Sequence, residues 1–343
     1  MRRNAIAVLS LAVVVAVLVA GASASAGAKR QSASLTGAGS TFVAPLVSQW
    51  IANVGNGMSI TYGPIGSGGG INAITNRTVD FGASDAPLTP DEFSACKGCV
   101  QIPWALSATS IPYNINGVKA RLHLTGPVIA DIFLSKITKW NDPRIKKLNR
   151  KVNLPALNIT PIYRSDNSGT TFNFTDYLSR ISSAWRSGPG HGVSVSWPTG
   201  IGAKGSSGVA AALSQTDGAI GYVDVAYSLK NRFTFAAVKN AAGRFQLPGL
   251  RGIAAAASSV KRLPADNSVS IVNPSKKAKL AYPISTFTWV IVPLQSSKAA
   301  DLPCSSAGRS RRASLSGRIC CSSRCRRSSR TRHSGRWHAS THK

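Results

Sequence analysis

Arg164, Ser165, Asp166, Asn167, Ser168, Gly169 and Thr170 form a run dense in hydrogen-bond donors, and it leads directly into a segment with helical period. Phe174, Tyr177, Leu178, Ile181 and Trp185 fall on one apolar stripe, which predicts a donor-rich loop feeding a helix N-terminus. The first N–H groups of a helix lack internal partners and carry the positive end of its dipole, roughly half a charge. With the Arg164 fork and the Ser168 and Thr170 hydroxyls added, this is chemistry for holding an anion. Two other stretches repeat the device. Gly39, Ser40, Thr41 and Phe42 precede a helix expected over residues 42–51, with Ser40 or Thr41 as its N-cap. Gly66, Ser67, Gly68, Gly69 and Gly70 precede a short helix expected over 71–76, and the glycines let backbone approach a ligand closely. Three such entries suggest one oxyanion held by several helix ends.

The elements that must position these groups alternate in type. Strands are expected near residues 35–37, 59–62, 101–115, 157–163, 218–223 and 282–293, with β-branched and aromatic residues concentrated in the last. Helical patterns cover 129–140, 174–185 and 209–215. Alternation of this kind points to an α/β chain. Asp80 and Asp85 flank a small-residue strand, and residues 230–280 show no clear period.

The 343 residues suffice for two domains, and the formal charge of +29 is unevenly spread. Residues 302–343 carry +11 and no acid, and Arg2 with Arg3 carry +2, leaving +16 for residues 4–301. A basic body attracts anions. It lacks the aromatic and basic interleaving of a nucleic-acid binder, so no nucleic-acid partner is expected. Residues 1–26 read as a signal peptide: two arginines, an apolar core over 5–20 and small-residue cleavage sites ending at Ala24 or Ala26. Export is therefore expected, to a periplasmic, cell-envelope or extracellular site. No cysteine follows the leader that could carry a lipid, since the first is Cys96. Cys96 and Cys99 are spaced for a local disulfide in an exported protein, and no metal-ligand cluster or cofactor motif is present. From residue 302 the chain holds ten Arg, eleven Ser and four Cys, and amphipathic period vanishes. Two readings compete for 302–343: a disordered basic tail, or, preferred here, sequence translated out of frame.

Six motifs, in order, resemble the phosphate-binding proteins of ABC transporters. They are L-T-G-A-G-S-T-F-x-A-P, Y-G-P-I-G-S-G-G-G, V-D-F-G-A-S-D-A-P-L, R-S-D-N-S-G-T-T-F-x-F-T, G-A-I-G-Y-V and Y-P-I-S-T-F-T-W. The resemblance spans residues 35–301. It implies an α/β, two-domain class II periplasmic-binding-protein fold with a ligand cleft between the domains. The first domain would be 35–105 plus 283–301 and the second 106–282, with hinge crossings near 105–112 and 280–290. By motif, Thr41, Phe42 and Ser67 would donate to phosphate and Asp85 would accept from it. Arg164, Ser168, Gly169 and Thr170 would close the other side, and Asp166 would hold the Arg164 fork. A membrane permease of an ABC importer would be the partner and the receptor a monomer. The family continues into C-terminal helices past residue 301, where this chain does not.

A carboxylate beside an anion looks wrong until the ligand carries a proton. Asp85 can accept a hydrogen bond from a protonated phosphate, whereas sulfate has no proton at neutral pH and would face an unpaired, repelling charge. That difference is worth several kcal/mol, or roughly 10³-fold and more. Two alternatives stand beside a phosphate receptor: a general oxyanion receptor of the sulfate type, and a secreted phosphatase. No catalytic residue is expected. Only His123 and His191 lie in the body, both outside the motifs, and a serine nucleophile would need a base beside it.

Overall fold

The structure is a computed structural model, and it describes residues 33–54 and 58–296. The signal-peptide and tail expectations, residues 1–26 and 302–343, lie outside the described residues. Two larger sheets dominate. The first has six strands in the order Val223–Asp224, Cys99–Ser110, Ser285–Pro293, Phe81–Ser84, Ala33–Gly39 and Met58–Gly63. The second has five, in the order Thr234–Phe235, Pro112–Tyr113, Ala219–Gly221, Thr160–Arg164 and Ile201–Ala203.

The two sheets repeat one pattern. In the first, Ala33–Gly39 lies parallel to both Met58–Gly63 and Phe81–Ser84. In the second, Thr160–Arg164 lies parallel to both Ile201–Ala203 and Ala219–Gly221. An antiparallel strand then closes each group, Ser285–Pro293 in one and Pro112–Tyr113 in the other. In open α/β sheets the ligand crevice lies outside the carboxyl ends of the parallel strands. Those ends are where the donor-rich motifs stand: Ser40 after the first strand, Ser67 after the second, Asp85 after the third, and Arg164 at the end of its own.

Apolar burial fixes each half. Val43 and Val47 pack on Ala83 on one face of the first sheet, while Ile71, Ile74 and Leu88 pack with Ile291 in a second cluster. The larger core gathers Trp140, Trp185, Phe133, Phe174, Tyr177 and Tyr222 around the second sheet, all fully buried. Phe174 and Tyr222 stack with centroids 4.4 Å apart, which adds to the area term. Cys96 and Cys99 are joined, as their spacing suggested, and the Arg77 guanidinium donates to the carbonyls of Ile74, Cys96 and Lys97 around them.

Several boundaries differ from the sequence expectation. The first helix is Ala44–Ala52 with Val43 as its N-cap, because Ser40 is drawn back to Asp85 and Pro45 sits comfortably in the first turn. The helix over 129–140 is shorter, Gly126–Phe133, and its continuation is stopped by Ser135 at φ 60°. The segment 169–185 is two helices, Gly169–Ile181 and Ser183–Ser187, since the Ser182 hydroxyl caps a new start by accepting the Trp185 N–H. The helix after the triple glycine begins earlier, at Ser67, and the helix expected over 209–215 also begins earlier, as Gly205–Gln215. Residues 230–280, unreadable by period, hold short strands and the helix Leu250–Ala257.

Candidate functional site

The strand Thr160–Arg164 delivers Arg164 with its side chain buried at the head of the sheet. Its guanidinium is gripped by Asp166: Nε to Oδ1 at 2.7 Å and Nη2 to Oδ2 at 2.5 Å, a two-pronged pair that fixes the fork. The Arg164 N–H donates to the Tyr222 hydroxyl at 3.0 Å, so the main chain is pinned as well. Burial works against ionising Asp166, but the Arg164 fork and the Gly205 N–H overcome it and hold the carboxyl below its usual value. The remaining Nη1 faces the Ser206 hydroxyl at 3.5 Å.

Ser168 caps the helix Gly169–Ile181 by accepting the Thr171 N–H at 3.2 Å. Thr170 is 1 % exposed and its Oγ1 has no hydrogen-bond partner among the described residues. A buried hydroxyl without a partner costs about 1–3 kcal/mol, so this one is suited to an acceptor entering the cleft. Gly169 stands where nothing larger fits. A Cβ there would lie 2.6 Å from Ser67 Oγ and 2.7 Å from Asp85 Cβ.

From the other sheet, Gly66 turns at φ 91° and starts the helix Ser67–Thr75. Such a φ suits glycine, and a Cβ at Gly66 would meet the Asp166 carboxylate at 2.8 Å. Ser67 Oγ accepts the Asp85 N–H at 3.2 Å and lies 3.3 Å from its carboxylate. Asp85 is 1 % exposed, and Ser40 Oγ reaches its two oxygens at 2.6 Å each. Burial pushes the Asp85 carboxyl up to about 7, against the opposing pull of Ser40, Arg164 and Ser67. Thr41 is turned across the cleft to Ser206, Oγ1 to Oγ at 2.9 Å, and Phe42 offers the backbone N–H of the same turn, directed at Ser40 Oγ.

All eight residues expected to surround a ligand therefore converge where the two sheets face each other. The halves meet through Thr41 with Ser206, through the Gly68 N–H on the Asn167 carbonyl at 3.2 Å, and through the Asn173 amide on the Asp85 carbonyl at 2.9 Å. Two participants were missed. Ser206 begins the helix Gly205–Gln215, a fourth helix N-terminus at the site, and its G-S-S-G context repeats the glycine-then-hydroxyl entry of the other motifs. Ser40 orients Asp85, a role that no local pattern announces because its partner lies 45 residues away. Asp80, which flanks the same strand as Asp85, instead ties strands together by accepting from the Thr36 N–H and hydroxyl.

The arrangement offers hydroxyls, four helix starts and one guanidinium around a small volume, with one carboxylate inside it. Neither histidine of the body joins it: His123 stacks on Phe245 and His191 packs on Phe172. Among the described residues no group of three or more His, Cys, Asp or Glu could hold a metal ion.

A family model described as the PBP superfamily domain matches residues 24–303. The phosphate-binding protein PstS of Xylella fastidiosa is 43% identical over 275 residues, covering 79% of this chain and 75% of its own length. PstS of Pasteurella multocida is 39% identical over 265 residues, covering 76% of each chain. A solved high-affinity periplasmic phosphate-binding protein, bound with phosphate, shares the fold at a TM-score of 0.64 and 23% identity, over 78% of this chain and 83% of its own. The two sheets, each with its parallel group and closing antiparallel strand, and the cleft between them are those of a two-domain periplasmic binding protein. The chain belongs to the PBP superfamily and, within it, to the PstS family of phosphate-binding proteins.

Proposed function

We propose that this chain is an extracytoplasmic receptor that captures inorganic phosphate in its cleft and delivers it to the permease of an ABC-type importer. The observation that carries this reading is the buried Asp85 carboxylate inside a cradle of donors. A receptor for any fully ionised oxyanion would be weakened by that charge. A ligand with its own proton turns the charge into a hydrogen-bond acceptor. Thr41, Phe42 and Ser67 serve from one side, and Arg164, Ser168, Gly169 and Thr170 from the other, with Asp166 holding the Arg164 fork. Relatives named phosphate-binding protein PstS support the same ligand.

The cleft works as a receptor rather than an enzyme. Hydrolysis of a phosphate ester needs a nucleophile with a base beside it, or a metal-bound water. Ser67 Oγ accepts the Asp85 N–H, Ser168 Oγ accepts the Thr171 N–H, and both histidines of the body pack on phenylalanines away from the cleft. We assign the first domain to residues 35–105 plus 283–301 and the second to 106–282, the segments 106–110 and 223–224 pairing with the first sheet where the chain crosses, with export directed by residues 1–26 and the receptor acting as a monomer. Calorimetric titration of the exported protein with phosphate and then sulfate tests the reading. Tight phosphate binding and weak sulfate binding are expected. Equal binding of the two anions would favour a general oxyanion receptor, and release of phosphate from a chromogenic ester would favour the enzyme.

A further inference from the structure

The chain crosses between the two larger sheets more than twice, and two of the crossings are adjacent. The strand Cys99–Ser110 leaves the first sheet and enters the second at Pro112, while the chain leaves the second at Gly221 and joins the first at Val223. Val223 and Asp224 pair with Ser110 and Thr109, so the two crossings lie side by side. Ser110 binds both the Val223 carbonyl and the Ser228 hydroxyl. Asp224 sits at this seam, 1 % exposed. Its Oδ2 accepts from Ser107 at 2.5 Å, and its Oδ1 accepts the Ala226 N–H at 2.7 Å, capping the helix Val225–Lys230.

Among the described residues Asp224 has no cation partner. The ion pairs among the described residues join Arg144 to Asp131 and Asp142, Arg164 to Asp166, and Arg180 to Asp176. A buried carboxylate without a counter-ion is costly and tends to take up a proton instead. The groups acting around it are Asp85, a like charge, and Tyr227 on the helix that Asp224 caps, which also feels Arg164. Tyr62, whose hydroxyl donates to the Ser40 carbonyl, feels the charge of Asp85 and Tyr227 in turn. The carboxyls are thus Asp85, Asp166 and Asp224, against the single guanidinium of Arg164. Fully ionised, this set carries two net negative charges before any anion arrives. Protons must be held somewhere for an anion to settle.

We infer that Asp224 is a positioning residue of the anion cleft: from the hinge seam it takes up a proton from solvent when phosphate binds, so that capture is coupled to proton uptake. Its surroundings suit both states. Ionised, it accepts from the Ser107 hydroxyl. Protonated, its own O–H can donate to Ser107, since a hydroxyl serves either way, and Oδ1 still caps the helix. The seam keeps its geometry while the charge beside Asp85 disappears. Burial and the Asp85 charge push the Asp224 carboxyl up to about 7, against the opposing bonds from Ser107 and Ala226, so the proton is exchangeable near neutral pH.

This inference rests on the phosphate reading of the cleft. It is tested by titrating the native protein, Asp224→Asn and Ser107→Ala with phosphate from pH 6.5 to 8.5, in buffers of different ionisation enthalpy that report proton uptake. The native protein is expected to take up protons on binding and to lose affinity as pH rises. Asp224→Asn keeps the cap and cannot be charged. It should take up fewer protons and should retain affinity at pH 8.5 roughly tenfold better relative to pH 6.5 than the native chain. Ser107→Ala removes a bond that favours the ionised form, so its uptake should persist with a midpoint moved to higher pH. Native-like proton uptake and pH profile in Asp224→Asn would overturn the inference alone. Absence of phosphate binding by the folded native protein would overturn the phosphate reading and this inference with it.

Discussion

Ser40 Oγ lies 2.6 Å from both carboxylate oxygens of Asp85, and the same oxygen accepts the N–H groups of Phe42 and Val43 at 3.0 and 3.2 Å. One hydroxyl therefore ties the acid inside the cleft to the turn that walls it. The turn fixes Ser40, and Ser40 fixes the direction in which Asp85 presents its remaining lone pairs. Under the proposed function, selectivity rests on that orientation as much as on the charge itself.

Replacing Ser40 by alanine removes the bond and leaves the carboxylate charge. Ser40 holds the Asp85 carboxyl down, so its loss moves the Asp85 titration to higher pH. A hydrogen bond to a charged group is worth roughly 1.5–3 kcal/mol, so phosphate binding at pH 7 should weaken by about tenfold or more. Calorimetry on Ser40→Ala checks this, and unchanged affinity would show that Asp85 is oriented by other means.

Arg164 reaches Asp166 with two nitrogens and keeps a third directed to the Ser206 side of the cleft. Lysine offers a point charge and cannot reproduce that fork. Arg164→Lys should weaken phosphate binding by roughly 10²-fold. Asp166→Asn, which leaves the guanidinium present and less firmly aimed, should cost less than Arg164→Lys when the two dissociation constants are compared.

Gly169 permits the two halves to meet. An added Cβ would press on Ser67 Oγ, Asp85 Cβ and the Asp85 N–H at 2.6–2.8 Å, all belonging to the opposite half. Gly169→Ala should therefore hold the cleft apart, weakening phosphate binding by about 10²-fold or more on steric grounds. The melting temperature of the ligand-free protein should stay close to native, because within its own helix alanine is favourable. A large loss of stability without ligand would place the clash inside one domain instead.

Asp85 and Asp224 are both raised by burial to about 7. A raised acid binds more protons folded than unfolded between about pH 4 and 7, so the stability it contributes is present at low pH and is lost as pH rises through that window. The ligand-free protein should thus lose roughly 2–4 kcal/mol per independent group between pH 5 and 8, less if the two acids share one proton. Asp166 is depressed and acts in the opposite sense at lower pH, where protonating it breaks the Arg164 pair. Chemical denaturation across pH, on the native chain and Asp224→Asn, should show a flatter upper limb in the variant.

What could be read in the sequence was what is local. The turn at Ser67, the run from Arg164 to Thr170 and the strand before Asp85 each carry their chemistry within a few residues, and each stands at the carboxyl end of a strand. The α/β class followed from the same alternation. Ser206 and Ser40 were missed because their roles lie in pairings across 165 and 45 residues. Asp224 was missed because an acid after an apolar strand reads as a helix cap, which it also is. The helix expected over 129–140 was too long because apolar positions continue past Phe133 into a turn at Ser135, and spacing alone does not mark the end.

The most direct test of the account is calorimetric competition between phosphate and sulfate at neutral pH, on the native chain and on Asp85→Asn. Native protein should prefer phosphate by roughly 10³-fold or more, and the amide, which carries no charge and can donate, should lose most of that preference through weaker phosphate and stronger sulfate binding. An Asp85→Asn protein that discriminates as well as the native chain would contradict the account.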